Sequence, residues 1–229
     1  MLKQLAVKEL RETAGLTVLA LLAFFVLVTH ETGFSLLNGP TDQFSIGWRS
    51  GTIPFVHHDF LIIFSLISGF FAILLGLRQS VWESISGTYL FLLHRPLSRA
   101  RVVGVKLTVG VLLVLVCCGV PLLIYALWAA MPGTHASPFE WSMTAPAWNA
   151  WLVMTIVYFG FFLSGMRPAR WYASRLFPAA ATCFLVFLSV ILFMEVPWWN
   201  GFVALATVLL VDAMLVAVIL HVARTRDYS

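Results

Sequence analysis

Six long apolar runs divide the chain, with short polar stretches between them. They extend from Gly15 to Thr29, Phe60 to Leu77, Val102 to Met131, Trp148 to Gly165, Leu176 to Met194 and Asn200 to Ala223. A helix needs roughly 20 apolar residues to cross the hydrocarbon core of a bilayer. Runs of this kind cross as helices, because the bilayer offers no water to satisfy backbone groups that a helix would leave open. The pattern therefore predicts an all-α integral membrane fold of six transmembrane helices. Pro121 falls inside the third run. Its ring and missing N–H predict a kink there, or the point at which the helix leaves the membrane.

Composition supports this class and excludes others. Hydrophobic residues fill 61% of the 229 positions and charged residues 10%, against about 25% charged in a soluble domain. Disorder, collagen, coiled coil and a disulfide-rich secreted fold do not fit these values. Six spans also leave no length for a soluble catalytic domain. Cys117, Cys118 and Cys183 all lie within apolar runs and read as small buried hydrophobes, not as a disulfide framework.

Charge adds an orientation. Of the 14 Lys and Arg residues, 12 fall at the two termini, between runs two and three, or between runs four and five, and Lys106 lies just inside the same end of run three; Arg49 alone falls on the other side. The positive-inside rule then puts both termini in the cytoplasm and requires an even number of spans. The net charge of +4 belongs to this loop bias and gives no reason to expect nucleic acid as a partner. Trp48, Trp128, Trp141, Trp148, Trp151, Trp198 and Trp199 lie near the outer ends, and only Trp82 and Trp171 near the inner ones. Such aromatic belts mark the membrane interface, and membrane lipids are an expected partner.

The segments outside the runs differ in kind. In residues 1–14, Leu2, Leu5, Ala6 and Leu10 recur at helical spacing, with Lys3, Lys8, Arg11 and Glu12 largely elsewhere. This predicts an amphipathic helix in the inner interface that bends into the first span; the alternative is a solvated extension of that span. Glu9 and Glu12 interrupt the basic flank, and no small-x-small site follows Thr29, so the first run reads as an uncleaved span. The outer loop, residues 30–59, contains His30, Glu31, His57, His58 and Asp59. Adjacent histidines lack the helical ligand spacing of a zinc site, and a plain interfacial loop is expected.

The inner segment 78–106 is the most informative. Trp82, Ile85, Tyr89 and Leu93 share one helical face. Gly87 within it permits close approach of another backbone. Pro96 ends that helix after Arg95, and Ser98 is placed to cap the next. The sequence thus predicts a short helix, about residues 80–94, on the cytoplasmic surface. It either docks a cytoplasmic partner or lies among the lipid headgroups.

Here the residues resemble a known family. Glu83, Gly87-Thr88, Leu90, Leu92-Leu93, Arg95-Pro96, Ser98-Arg99, Gly104 and Lys106 stand in the order and spacing of the signature of ABC-2 type permeases. Lys8-Glu9-Leu10-Arg11 and the basic tail Arg224-Thr225-Arg226 are similar to the ends of such chains. The resemblance implies a permease domain over residues 15–229, preceded by an interfacial helix over 1–14. It implies two permease subunits, identical or related, facing each other in a cell membrane of the bacterial inner-membrane kind. The 80–94 segment would be the coupling helix seated on a pair of cytoplasmic ABC ATPase subunits, with Trp82, Glu83, Ile85, Gly87, Thr88, Tyr89, Leu93, Arg95, Pro96, Ser98 and Arg99 as its coupling residues. Glu83 would anchor the partner or the N-terminal helix; otherwise it is solvated or pairs with Arg78. No G-x-x-x-x-G-K-[ST] loop occurs, so ATP and magnesium would be held by the partner and not by this chain, which is not expected to be an enzyme. Export is the implied direction.

Asp212 is the one acid deep within a run. A carboxylate there costs roughly 2.5–3.5 kcal/mol on insertion scales and is expected to face protein or water. An interhelical hydrogen bond to a Ser, Thr or Tyr competes with a substrate or proton site. A membrane-embedded protease would need a Ser/His pair, two deep Asp or H-E-x-x-H, and none is present. A secondary transporter with inverted repeats finds no support in the first and last three runs. The remaining alternative to a permease is a non-transporting scaffold that docks a cytoplasmic ATPase. The Phe-rich runs lean weakly toward a hydrophobic or amphipathic cargo.

Overall fold

A computed structural model describes residues 2–32, 54–55, 58–85, 98–133, 138–167, 172–195 and 201–225. Six helices carry almost all of them: α1 (Leu2–Glu31), α2 (His58–Ile85), α3 (Arg99–Ala130), α4 (Ala145–Met166), α5 (Tyr172–Glu195) and α6 (Gly201–Thr225). A 3-10 turn, Trp141–Thr144, leads into α4. No strand occurs among the described residues. Five helices (α1, α2, α3, α6 and α4 with its leading turn) are long and apolar enough to cross a bilayer. In α5 the described apolar stretch, Ser174–Ser189, is shorter. The protein is therefore a multi-pass, all-helical membrane protein.

Local chemistry accounts for several boundaries. Pro146 sits in the first turn of α4, where its missing N–H leaves no intrahelical bond unmade. Ser98 precedes α3 in an extended conformation (φ −63°, ψ 138°), and its carbonyl accepts the N–H groups of Arg101 at 2.9 Å and Val102 at 3.3 Å. Its side chain makes no capping bond. Helix α3 does not end at Pro121; the proline is buried within a helix that continues to Ala130. The packed neighbours of that turn hold it in helical form without the bond that Pro121 cannot donate.

Side-chain contacts fix the helix directions. Leu5 and Val102 share one small cluster, and Glu9 meets Lys106, so α1 and α3 run parallel. Gly76 lies against Tyr158 and Gly165 against Ser80, so α2 and α4 run parallel. Trp151 Nε1 donates to the Leu115 carbonyl at 3.0 Å while Gly110 lies against Tyr158, so α3 and α4 are antiparallel. Gly160 lies against Thr182 and Ser164 against Ala179, so α5 runs antiparallel to α4. Only five residues separate α5 from α6, too few to return along a helix, so α6 runs back beside α4, where Asp212 meets Thr155. The six helices thus alternate in direction. Every described Lys and Arg consequently falls at one end of the bundle, the end where α1, α3 and α5 begin.

Helix α4 is the centre of the packing. It touches α2, α3, α5 and α6 and is nearly all buried from Val153 to Gly160. Helices α1 and α6 show the opposite: Val18, Leu19, Leu22 and Phe25 on the first and Phe202, Leu209, Leu210 and Met214 on the second are exposed. A contiguous apolar surface of this extent is what lipid covers. At the end away from the Lys and Arg residues, rings join α1, α2 and α3. Phe24 meets Phe64 at 5.5 Å, Phe60 stacks on Tyr125 at 4.4 Å, and Tyr125 stacks on Trp128 at 5.7 Å.

Candidate functional site at the basic end of the bundle

The buried face of α1 is a stripe of Leu5, Glu9, Thr13, Ala20, Phe24 and Leu27. These positions recur every three to four residues, apart from the gap between Thr13 and Ala20, and so follow one side of the helix. The stripe runs through residues 2–14 into the apolar run without a separate element. The segment expected to form a distinct amphipathic helix is here the first part of α1. Its packed face is also not the apolar set read from spacing, since Leu2 and Leu10 are exposed. It contains an acid.

That acid meets a base. Glu9 Oε1 lies 3.0 Å from Lys106 Nζ, and both side chains are all but fully buried. An acid and a base this deep are retained in charged form only when they face each other. Thr13 donates its hydroxyl to the Glu9 carbonyl at 2.8 Å, which ties its polar group locally and keeps the helix face closed. Leu5 packs beside the pair against Val102 and Val105.

A second polar link lies in the same layer. The Tyr158 hydroxyl donates to Gln79 Oε1 at 2.6 Å and also reaches the Lys106 carbonyl at 3.4 Å. The hydroxyl occupies the space beside Gly110, where any side chain would collide with it. Gln79 Nε2 is buried with no hydrogen-bond partner among the described residues. Helix α2 reaches α4 closely because Gly76 has no side chain: a Cβ there would stand 2.8 Å from the Tyr158 carbonyl oxygen. One turn further on, Ser80 donates to the Gly76 carbonyl at 2.7 Å and fills the space beside Gly165. Arg175 closes this end of α4 by donating to the carbonyls of Ser164 and Gly165, each at 3.4 Å.

Four helices thus meet through Glu9, Gln79, Lys106 and Tyr158. Each residue lies six to eight positions from the end of its helix, so the four form one layer across the bundle. Chemically the layer holds no nucleophile or metal set; among the described residues no group of His, Cys, Asp and Glu is arranged to hold a metal ion. What it can do is transmit position. It joins the helix that leads into residues 86–97 to the helix that leads out of them.

The residues singled out from sequence fall around this layer. Trp82, Glu83 and Ile85 form the last turn of α2. Gly87, Thr88, Tyr89, Leu93, Arg95 and Pro96 lie outside the described residues, as does most of the outer loop; of the 80–94 segment only residues 80–85 are described, and they continue α2 without a break. Ser98 and Arg99 open α3 and are exposed. Asp212 stands apart, midway along α6, where its Oδ2 accepts the Thr155 hydroxyl at 2.6 Å. In the sequence Glu9 and Lys106 stand out only as parts of a motif, and Gln79 and Tyr158 do not stand out as site residues. The available signal was weak: a base inside an apolar run and an acid on the apolar side of a helix. No family model, curated protein or solved structure matches this chain.

Proposed function

We propose that the chain is the membrane-spanning permease subunit of an ABC-type exporter. In this reading it has six spans, with α5 as the fifth, and its basic end faces the cytoplasm. A second permease subunit stands opposite, and a separate pair of ATPase subunits hydrolyses ATP. The 80–94 segment is the coupling helix. When ATP draws the ATPase subunits together, that helix is displaced, and α2 and α3 tilt with it. The chemistry of hydrolysis belongs to the partner.

One observation carries the reading beyond the signature itself. Lys8 to Arg11, which supports the family resemblance, and Lys106, which ends the Glu83–Lys106 signature, are far apart in sequence and meet in space through the buried Glu9–Lys106 pair. A signature whose distant parts touch supports a shared mechanical role for those parts.

Copurification with the ATPase subunit tests this. Glu83→Arg and Gly87→Trp are expected to insert normally, keep thermal stability in detergent, and lose ATPase binding or substrate-stimulated hydrolysis. Asp42→Arg in the outer loop is the control and should do neither. Normal binding and stimulation in both coupling variants would remove the docking role. For orientation, single cysteines on a cysteine-free background at residues 45 and 98 should label from outside and from inside, respectively; the reverse pattern inverts the topology.

A further inference from the structure

A buried ion pair is an inefficient adhesive. Removing two charges from water offsets most of their attraction, and apolar side chains of similar volume hold helices together as well or better. Yet Glu9 and Lys106 are each 1% exposed and bridge α1 to α3 where Leu5 and Val102 already pack. What such a pair supplies that apolar packing does not is a heavy penalty on parting, because each charge would then be left buried without its partner. The Gln79–Tyr158 bond has the same property between α2 and α4, being short, directional and enclosed.

The placement gives that rigidity a use. Lys106 and Gln79 stand on the two helices flanking residues 86–97, and each is bound to a helix outside that hairpin. Tyr158 touches both sides, through Gln79 Oε1 and the Lys106 carbonyl. We propose that these four residues form a transmission joint: displacement of the α2–α3 hairpin carries the basic end of α1 with it through Glu9–Lys106, and that of α4 through Gln79–Tyr158. The input to this joint, a moving partner ATPase, rests on the permease reading; the joint itself does not. In this arrangement α1 is a moving element of the bundle, and its first turns are held upright against α3.

The test uses the full chain in nanodiscs on a cysteine-free background, with spin labels at positions 3 and 101. The parent should give a single narrow distance peak. Glu9→Leu with Lys106→Met should keep the thermal stability of the parent and lose that narrow peak. Glu9→Lys with Lys106→Glu should keep both stability and peak, since the reversed pair restores the link. A narrow peak retained in the apolar double variant overturns the joint, because packing alone would then set the register. So does a double variant that fails to fold together with a swap that folds, which would make the pair a folding element. With the ATPase subunit present, the apolar double variant should bind it normally and lose about tenfold in substrate-stimulated hydrolysis, within the range of ordinary coupling between sites. Unchanged stimulation also overturns the proposal. If the parent binds no ATPase, the permease reading fails and the label measurement still decides the joint.

Discussion

Helices α1, α2 and α3 come together twice, once at each end, by unlike means. At the basic end the contacts are an ion pair at 3.0 Å and, from α2 to α4, a hydrogen bond at 2.6 Å. At the far end they are rings: Phe24, Phe64, Phe60, Tyr125 and Phe55, with Phe55 4.8 Å from Tyr125. Hydrogen bonds weaken steeply with angle and distance. Ring pairs keep most of their attraction over centroid separations of about 4.5–7 Å and several orientations. One end is therefore held by contacts that demand a set geometry, and the other by contacts that accept several.

The largest expected effect tests the grip. Lys106→Met alone leaves Glu9 buried without its cation and should destabilise the fold by about 3–5 kcal/mol, the usual cost of breaking one side of a buried pair. Thermal unfolding in detergent measures it, and a near-silent variant would mean water reaches the site. Next comes Tyr158→Phe. It leaves the Gln79 carbonyl oxygen buried without its donor, at about 1–3 kcal/mol. At the aromatic end, Phe60→Leu stays apolar, forfeits the ring contacts and leaves a small cavity, a loss of about 1–2 kcal/mol. A loss at Phe60 equal to that at Lys106 would erase the contrast between the ends. Smallest is Thr155→Val, midway along the bundle. Hydrogen bonds between membrane helices average about 0.6 kcal/mol, so the Asp212 link should be barely visible in stability. A much larger effect would give Asp212 a role beyond interhelical contact.

The helices were legible because hydropathy alone marks them: the described part of each apolar run, Met131 apart, lies within an observed helix, and five of these helices are long and apolar enough to span. Boundaries were less so. Residues 1–14 read as helical, but the expected bend at the start of the first span is absent: α1 runs unbroken from Leu2 to Glu31, about 45 Å, well beyond the hydrocarbon core. Hydropathy sees only the part in lipid. Asp212 was legible as an intramembrane acid, since its neighbours in sequence are apolar. Glu9 was not legible as buried. Its own neighbours include Lys8 and Arg11, and its partner lies in another helix. Periodicity assigns charged positions to the solvent face, so it reads the stripe of α1 one step off. Gln79 and Tyr158 escaped notice for a related reason: neither is unusual near the end of a span, and only their meeting beside Gly110 gives them meaning.

Helix α4 is the most enclosed of the five spanning candidates. A helix surrounded by protein presents little of its surface to lipid. The consequence concerns biogenesis. During synthesis α4 emerges after α2 and α3 and before α5 and α6. The spaces beside Gly76 and Gly110 that Tyr158 fills belong to helices made before it, whereas the contacts of α4 with α5 and α6 can form only after it. Order of emergence thus divides the surroundings of the central helix into a half that precedes it and a half that follows.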